Sequence, residues 1–290
     1  MSLFFRQWRN ELLKLCARRR TYLGLVGSVV AELIFLVLWK QPLAQRAFEK
    51  AVRGGVVEPN VFWDQYYHGL TMGLLMLTFS FLLLGGLYLA LVAGDIVAKE
   101  AEEGTLSMIL SRPISRLRLW SLKWLTCSVY TFGLVCFMGL SSLLLASAFC
   151  GGLGKLAVVY GQHPRHLQLV ALFETAEGLW RYGRGVLLLG VVMHVVSALA
   201  FMFSCFNLKP ATAAIATLAV FFIDAVLKVV PFFIVFEKWL ISYHLAGWLR
   251  SFAKYEPAVD VGTSVGYLLA LSGIFLGVGA VQFCRRDFKP

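Results

Sequence analysis

The chain is 290 residues long, 59% of them hydrophobic, with a mean hydropathy of +0.74 and a formal charge of +11. Soluble domains hold about 45–50% apolar residues, so an ordinary soluble fold is excluded. In a soluble protein the positive charge would suggest nucleic acid. In a membrane protein it marks anchoring loops and lipid headgroup contacts, so membrane lipids are expected as partners and nucleic acid is not.

The first element in chain order is a basic amphipathic helix. Phe4, Phe5, Trp8, Leu12, Leu13 and Cys16 recur at helical spacing, and Arg6, Arg9, Lys14 and Arg18 to Arg20 supply the charge. This pattern predicts an interfacial helix over residues 1–20. Spans follow at Thr21–Trp39 and His68–Gly94, separated by a polar stretch with Gly54, Gly55 and Pro59 as loop signals. The windows Leu70–Ala93 and Leu125–Phe149 carry no charge and are long enough for the roughly 20 residues that cross a bilayer.

A charged segment, residues 95–118, leads to a third span at Leu119–Phe149. In the polar stretch after it, Leu167–Tyr182 is expected to form a second interfacial helix. The fourth span is placed at Arg184–Phe206, the tight link Asn207–Pro210 leaves room for a hairpin, and the fifth is placed at Ala211–Val230. Pro231–Leu249 mixes aromatic and charged residues, which suits a membrane surface or a re-entrant segment. The sixth span is placed at Val261–Phe283. The fold class expected is thus an all-α integral membrane protein of six spans, a single domain over residues 1–290.

Orientation follows the basic residues. Arg6 to Arg20 flank the first span, and Lys99, Arg112, Arg116, Arg118, Lys123, Lys209, Arg285, Arg286 and Lys289 fall on the same side. Both termini are therefore expected in the cytoplasm. The charged start of the chain shows no cleavable signal pattern. The cysteines (Cys16, Cys127, Cys136, Cys150, Cys205, Cys284) have no CxxC spacing, so neither a metal site nor a disulfide framework is expected.

Within residues 94–124, Leu106, Ile109 and Leu110 form an apolar stripe at helical spacing, ended by Ser111-Arg112-Pro113. Such a helix can lie on the inner leaflet or dock into a partner's groove. The run EAEEGTLSMILSRPISR from Glu100 to Arg116, followed by Lys123, resembles the signature loop of ABC type-2 permeases. The tail FCRRDF, Phe283 to Phe288, is similar to that family's ending, as are the six-span length, the basic N-terminal helix and a half-inserted segment before the last span.

The resemblance implies the membrane-spanning permease of an ATP-driven exporter. It implies that the loop is a coupling helix seated in a separate cytoplasmic ATPase, with Glu100, Gly104, Thr105, Leu106, Arg112, Pro113, Ser115, Arg116 and Lys123 as coupling residues. It also implies a second permease copy, a cell (inner) membrane location, and ATP and magnesium held by the ATPase. This chain lacks the G-x-x-x-x-G-K-[ST] phosphate loop, so no cofactor and no catalysis are expected of it. The nearest string, Gly151-Gly152-Leu153-Gly154-Lys155, has the wrong spacing.

Four ionisable residues fall within the predicted spans. A charge there costs about 2.5–3.5 kcal/mol and tends to face a cavity or the bundle interior. Asp224 and Lys228, four apart, can pair on one helix face, or Asp224 can line a translocation path. Glu32 has no partner in its own helix and is assigned to the path, while His194 reads as an interior histidine. Gly262, Gly266, Gly273 and Gly277 form a smooth face expected to pack closely on a neighbouring helix. Glu102–Glu103 is similar to the paired glutamates of CaaX-type proteases, but Ser107 stands where that motif needs Arg. A secondary transporter or channel and a membrane-embedded enzyme are the alternative classes. The first would favour repeat symmetry and the second a catalytic cluster, and the sequence displays neither.

Overall fold

The computed structural model describes residues 3–43, 45–46, 67–111, 114–162, 168–253 and 258–287. The predicted site residues Arg112 and Pro113, and the loop signals Gly54, Gly55 and Pro59, lie outside the described residues.

Six apolar helices are long enough to cross a membrane: α2 (Arg19–Trp39), α3 (Gly69–Glu102), α5 (Arg116–Phe149), α6 (Thr175–Cys205), α7 (Pro210–Val229) and α10 (Ala258–Arg285). A short helix, α1 (Leu3–Ala17), precedes them, and another, α4 (Thr105–Leu110), lies between α3 and α5. Two more, α8 (Ile241–Leu245) and α9 (Gly247–Arg250), follow a 3₁₀ turn at Pro231–Trp239.

Apolar residues cover both the interior and the outer surface, as a lipid environment requires. Leu82, Leu140, Phe222 and Val229 are exposed. Helix α6 is the central pillar and has the highest hydropathy of the six. Small residues let its neighbours close in. A Cβ at Gly185 would overlap the Phe252 ring, and one at Gly190 would overlap Phe132. Hydroxyl groups then pair with one another or with backbone at several points of this interior. Tyr182 Oη donates to Gly139 O at 2.7 Å and meets Ser142 Oγ, while Thr131 Oγ1 meets Ser197 Oγ.

Helices α3 and α5 have 34 residues each, roughly 51 Å at 1.5 Å per residue, against a hydrocarbon core of about 30 Å. Helix α3 therefore does not end near Gly94. It runs on through Asp95, Lys99 and Glu100 to Glu102, so the charged segment begins as an extension of the span. A π-helical turn at Phe81–Gly85 interrupts α3 near its middle.

Among the described residues the structure departs from the expected all-α fold at one place. Leu156–Gln162 (β1) and Gln168–Phe173 (β2) form an antiparallel hairpin, so Leu167–Tyr182 is not an interfacial helix. Opposed pairs Leu156–Phe173 and Val158–Ala171 share one buried face against the helical core. Pairing satisfies the backbone of these apolar segments while their side chains pack on the core, which favours strands over an exposed helix. The helix expected at Arg184 then starts at Thr175 as the first turns of α6.

On the predicted glycine face of the last span, no described atom of this chain lies within 4 Å of where side chains at Gly262, Gly266, Gly273 or Gly277 would begin, so no described helix of the same chain packs closely there. The close approach in α10 is instead at Gly279, against the Met202 backbone.

Candidate functional site

Helix α1, the start of α5, the end of α10 and the α3–α5 connection share one end of the bundle. At that end the chain leaves α3 through Gly104, whose φ of +70° is the left-handed conformation that glycine adopts freely. Thr105 Oγ1 donates to Glu100 O at 3.2 Å, and Ser107 Oγ donates to Gly104 O at 2.7 Å. These bonds fold α4 back on the α3 terminus. Leu106 fills the buried side of α4, in a cluster with Val97, Leu119, Phe201 and Phe283. Its opposite side is open: Met108 is 69% exposed, and Glu102, Glu103 and Ser111 are exposed beside it.

Beneath this turn is a buried group of charges. Lys123 has no exposed surface, and its Nζ lies 2.5 Å from Glu100 and 3.2 Å from Glu11. Glu100 also receives Arg18 Nη2 at 3.4 Å, and Glu11 receives Lys14 Nζ at 2.8 Å. Asp95 takes Arg20 Nη1 at 2.9 Å one turn further up α3. Lys123 thus ties α1, α3 and α5 together. Burial pushes the Glu11 carboxyl up, but Lys123 and Lys14 outweigh it and hold the group below its ordinary value of 4.5. Burial acts on Lys14 in the downward direction, and its bond and attraction to Glu11 reverse that and raise it.

Two arginines close the same end from the other side. Arg116 Nη1 donates to Cys284 O and Arg286 O, each at 2.8 Å, and so caps the end of α10. Arg286 Nη1 donates to Phe206 O at 2.7 Å, and its Nη2 to Asn207 Oδ1 at 2.9 Å, at the end of α6. Ser115 N-caps α5 by accepting the Arg118 amide. An open groove of about 400 Å³, lined by Gly104, Ser107, Asn207, Arg286 and Asp287, separates the turn from this clasp.

The predicted residues therefore divide. Glu100, Gly104, Thr105, Leu106 and Lys123 come together at the turn, whereas Ser115 and Arg116 serve the helix-end clasp. The structure adds Glu11, Arg18, Asp95 and Arg286. Glu11 is the sole acid of α1, and a lone carboxylate among cations was the available signal.

Glu32, Asp224 and Lys228 are elsewhere. Glu32 has no exposed surface; its Oε1 accepts from Ser141 Oγ at 2.9 Å, and its Oε2 has no partner among the described residues. His194 Nε2 meets Ser128 Oγ at 3.0 Å within a cage of Trp124 and Phe132. The expected Asp224–Lys228 pair is not formed. Both Asp224 oxygens accept backbone amides, from Ile241 at 2.8 Å and Ser242 at 2.6 Å. The segment after α7 folds back and offers these donors at the N-terminus of α8, where a carboxylate is favoured.

Comparison with known proteins follows this geometry. A family model described as ABC-2 family transporter protein matches residues 40–288. The chain is also similar to the uncharacterized protein YhcI of Bacillus subtilis (strain 168), with 26% identity over 251 residues, covering 72% of this chain and 79% of the relative.

Proposed function

The chain belongs to the ABC-2 family of transporter proteins, and we propose that it is the permease subunit of an ATP-driven exporter, worked by a separate cytoplasmic ATPase. A second permease copy completes the pathway, and ATP and magnesium reside in the ATPase. The end of the bundle that carries the α3–α5 turn faces the cytoplasm of the cell membrane. Pro231–Arg250 sits half-inserted at the outer surface, with Phe232 and Trp239 exposed and Trp248 buried in the core.

Support comes from the way the turn is mounted. Its open face presents Glu102, Glu103, Met108 and Ser111, while its inner face and stem are held by Leu106 and the Glu100–Lys123 pair. An ATPase cleft seated on that face would grip a lever with little internal slack. Displacement of α4 passes to α3 and α5 through Glu100 and Lys123, and to α1 through Glu11. The Arg116 and Arg286 clasps carry it to α10 and α6. Glu32 and Asp224 lie on spans that such a motion rearranges.

Affinity purification of the tagged permease from its native membrane tests this. The wild type should bring down an ABC ATPase. Met108→Asp, on the open face, should empty that band while leaving the permease's thermal stability intact. Recovery of no ATPase with the wild type, or full recovery with Met108→Asp, contradicts the assignment.

A further inference from the structure

Helix α1 has two faces that meet different surroundings. Gln7, Glu11, Leu15 and Arg18, at helical spacing, turn toward α5 and the buried charges. Phe5, Arg9, Leu13 and Cys16, at the same spacing on the opposite face, are all exposed, with Arg6 beside them. That outer face combines apolar and cationic groups and contains no acid, because the only carboxylate of α1 is Glu11 on the inner face. Arg6, Arg9 and Arg19 have no ion-pair partner among the described residues, whereas Lys14, Arg18 and Arg20 each have one.

Lipid is close by. Span α2 begins at Arg19, two residues after α1 ends, and its first turns expose Tyr22, Leu23 and Val26. A surface of exposed aromatic and aliphatic groups with uncompensated arginines, beside the start of a span, suits the boundary between phosphates and acyl chains. A soluble protein partner would have to match apolar groups and cations already placed next to the bilayer.

We propose that the outer face of α1 is a binding surface for acidic phospholipids. Arg6, Arg9 and Arg19 contact headgroup phosphates, and Phe5 and Leu13 enter the acyl region. Because the same helix delivers Glu11 to Lys123, lipid bound outside steadies the ion-pair group inside. This deepens the proposed function by assigning a lipid class to the permease, and its test needs no ATPase, so either reading can fail alone.

The experiment uses the full-length permease in nanodiscs of phosphatidylcholine alone or mixed with phosphatidylglycerol. Thermal stability and the rate of maleimide labelling at Cys16, with the other cysteines replaced, are the readouts. With phosphatidylglycerol, the midpoint should rise by about 4 °C or more and Cys16 should label more slowly. Both effects should shrink at high salt and vanish in Arg6→Gln/Arg9→Gln. Equal behaviour in the two lipids, or a lipid effect that survives in the double variant, overturns the proposal. So does full protection by soluble glycerol phosphate in phosphatidylcholine discs, since that would mark a site for a free anion.

Discussion

The two ends of the bundle are held together by different chemistry. At the end carrying the α3–α5 turn, side chains bind side chains across long stretches of sequence, as Lys123 does with Glu11, 112 positions away. Arg116 and Arg286 add bonds to backbone carbonyls there. At the hairpin end the ion pairs among the described residues, Lys155–Glu174 and Arg181–Glu177, are partly exposed, and the bonds that hold its segments run mostly to backbone. Asp224 caps α8, Tyr267 Oη donates to Trp239 O at 2.7 Å, and His68 Nδ1 meets Cys150 O at 3.0 Å. A tie between buried charges resists pulling apart, because separation leaves a bare charge in an apolar setting. A backbone cap costs about a hydrogen bond to break, so the segment it holds can release and reseat. The first arrangement suits an end that receives force, and the second suits an end that must open.

Substitutions that remove one partner at each end should give unequal losses. Lys123→Met removes the buried cation that Glu100 and Glu11 share, leaving them only Arg18 and Lys14, and should cost about 3 kcal/mol of stability, measured by thermal or denaturant unfolding in detergent. Adding Glu100→Gln should recover most of it. A loss as small as that of a surface pair, below about 1 kcal/mol, would remove the contrast between the ends.

Asp224→Asn should cost less, about 1–2 kcal/mol, because the amide keeps one acceptor oxygen and turns an NH₂ donor toward the second backbone N–H. Adding Lys228→Met should restore nothing, because Asp224 bonds amides and not Lys228. Rescue by the second substitution in a double-mutant cycle would reinstate the ion pair.

The smallest effect is a pH dependence at the hairpin end. His244 Nε2–H donates to Lys238 O at 2.8 Å, Nδ1 meets Ser264 Oγ at 3.1 Å, and the ring stacks on Tyr267. Burial pushes the imidazole below its ordinary value of 6.5; the Lys238 carbonyl and Asp224 counter this, and Arg250 reinforces it. A depressed histidine leaves the unfolded chain binding more protons, so this end should lose stability as pH falls through about 6.5. Hydrogen-exchange protection at residues 241–253, corrected for the slower intrinsic exchange at lower pH, should fall from pH 7.5 to 5.5 in the wild type and stay flat in His244→Phe.

The contrast also explains which parts were legible in the sequence. The spans were visible as long apolar runs with few or no charges, and Glu100, Gly104 and Lys123 stood out through the resemblance of their run. Glu11 was hidden because the apolar pattern of α1 drew attention to Phe5 and Leu13, which face outward. The bonds of Asp224 were not legible because its partners are backbone amides, which every residue but proline carries. The hairpin was missed for a related reason: β2 reveals itself only through the strand it pairs with. Helix α3 overran its predicted end because Asp95 has Arg20 of α2 as its partner and Glu100 has Lys123 of α5, so both can remain helical.

The central claim is that the Glu100–Lys123 tie transmits force and does not merely hold the fold. The permease–ATPase complex can test it with Glu100→Gln/Lys123→Met, which removes the pair without stranding either partner. Trp239→Cys, on the exposed outer segment, serves as reporter in a background otherwise free of cysteine. With the pair intact, trapping the ATPase with ATP and vanadate should change maleimide labelling at position 239. Without the pair, the ATPase should still bind and hydrolyse ATP, but labelling should no longer respond. An unchanged response in the double variant would contradict the account.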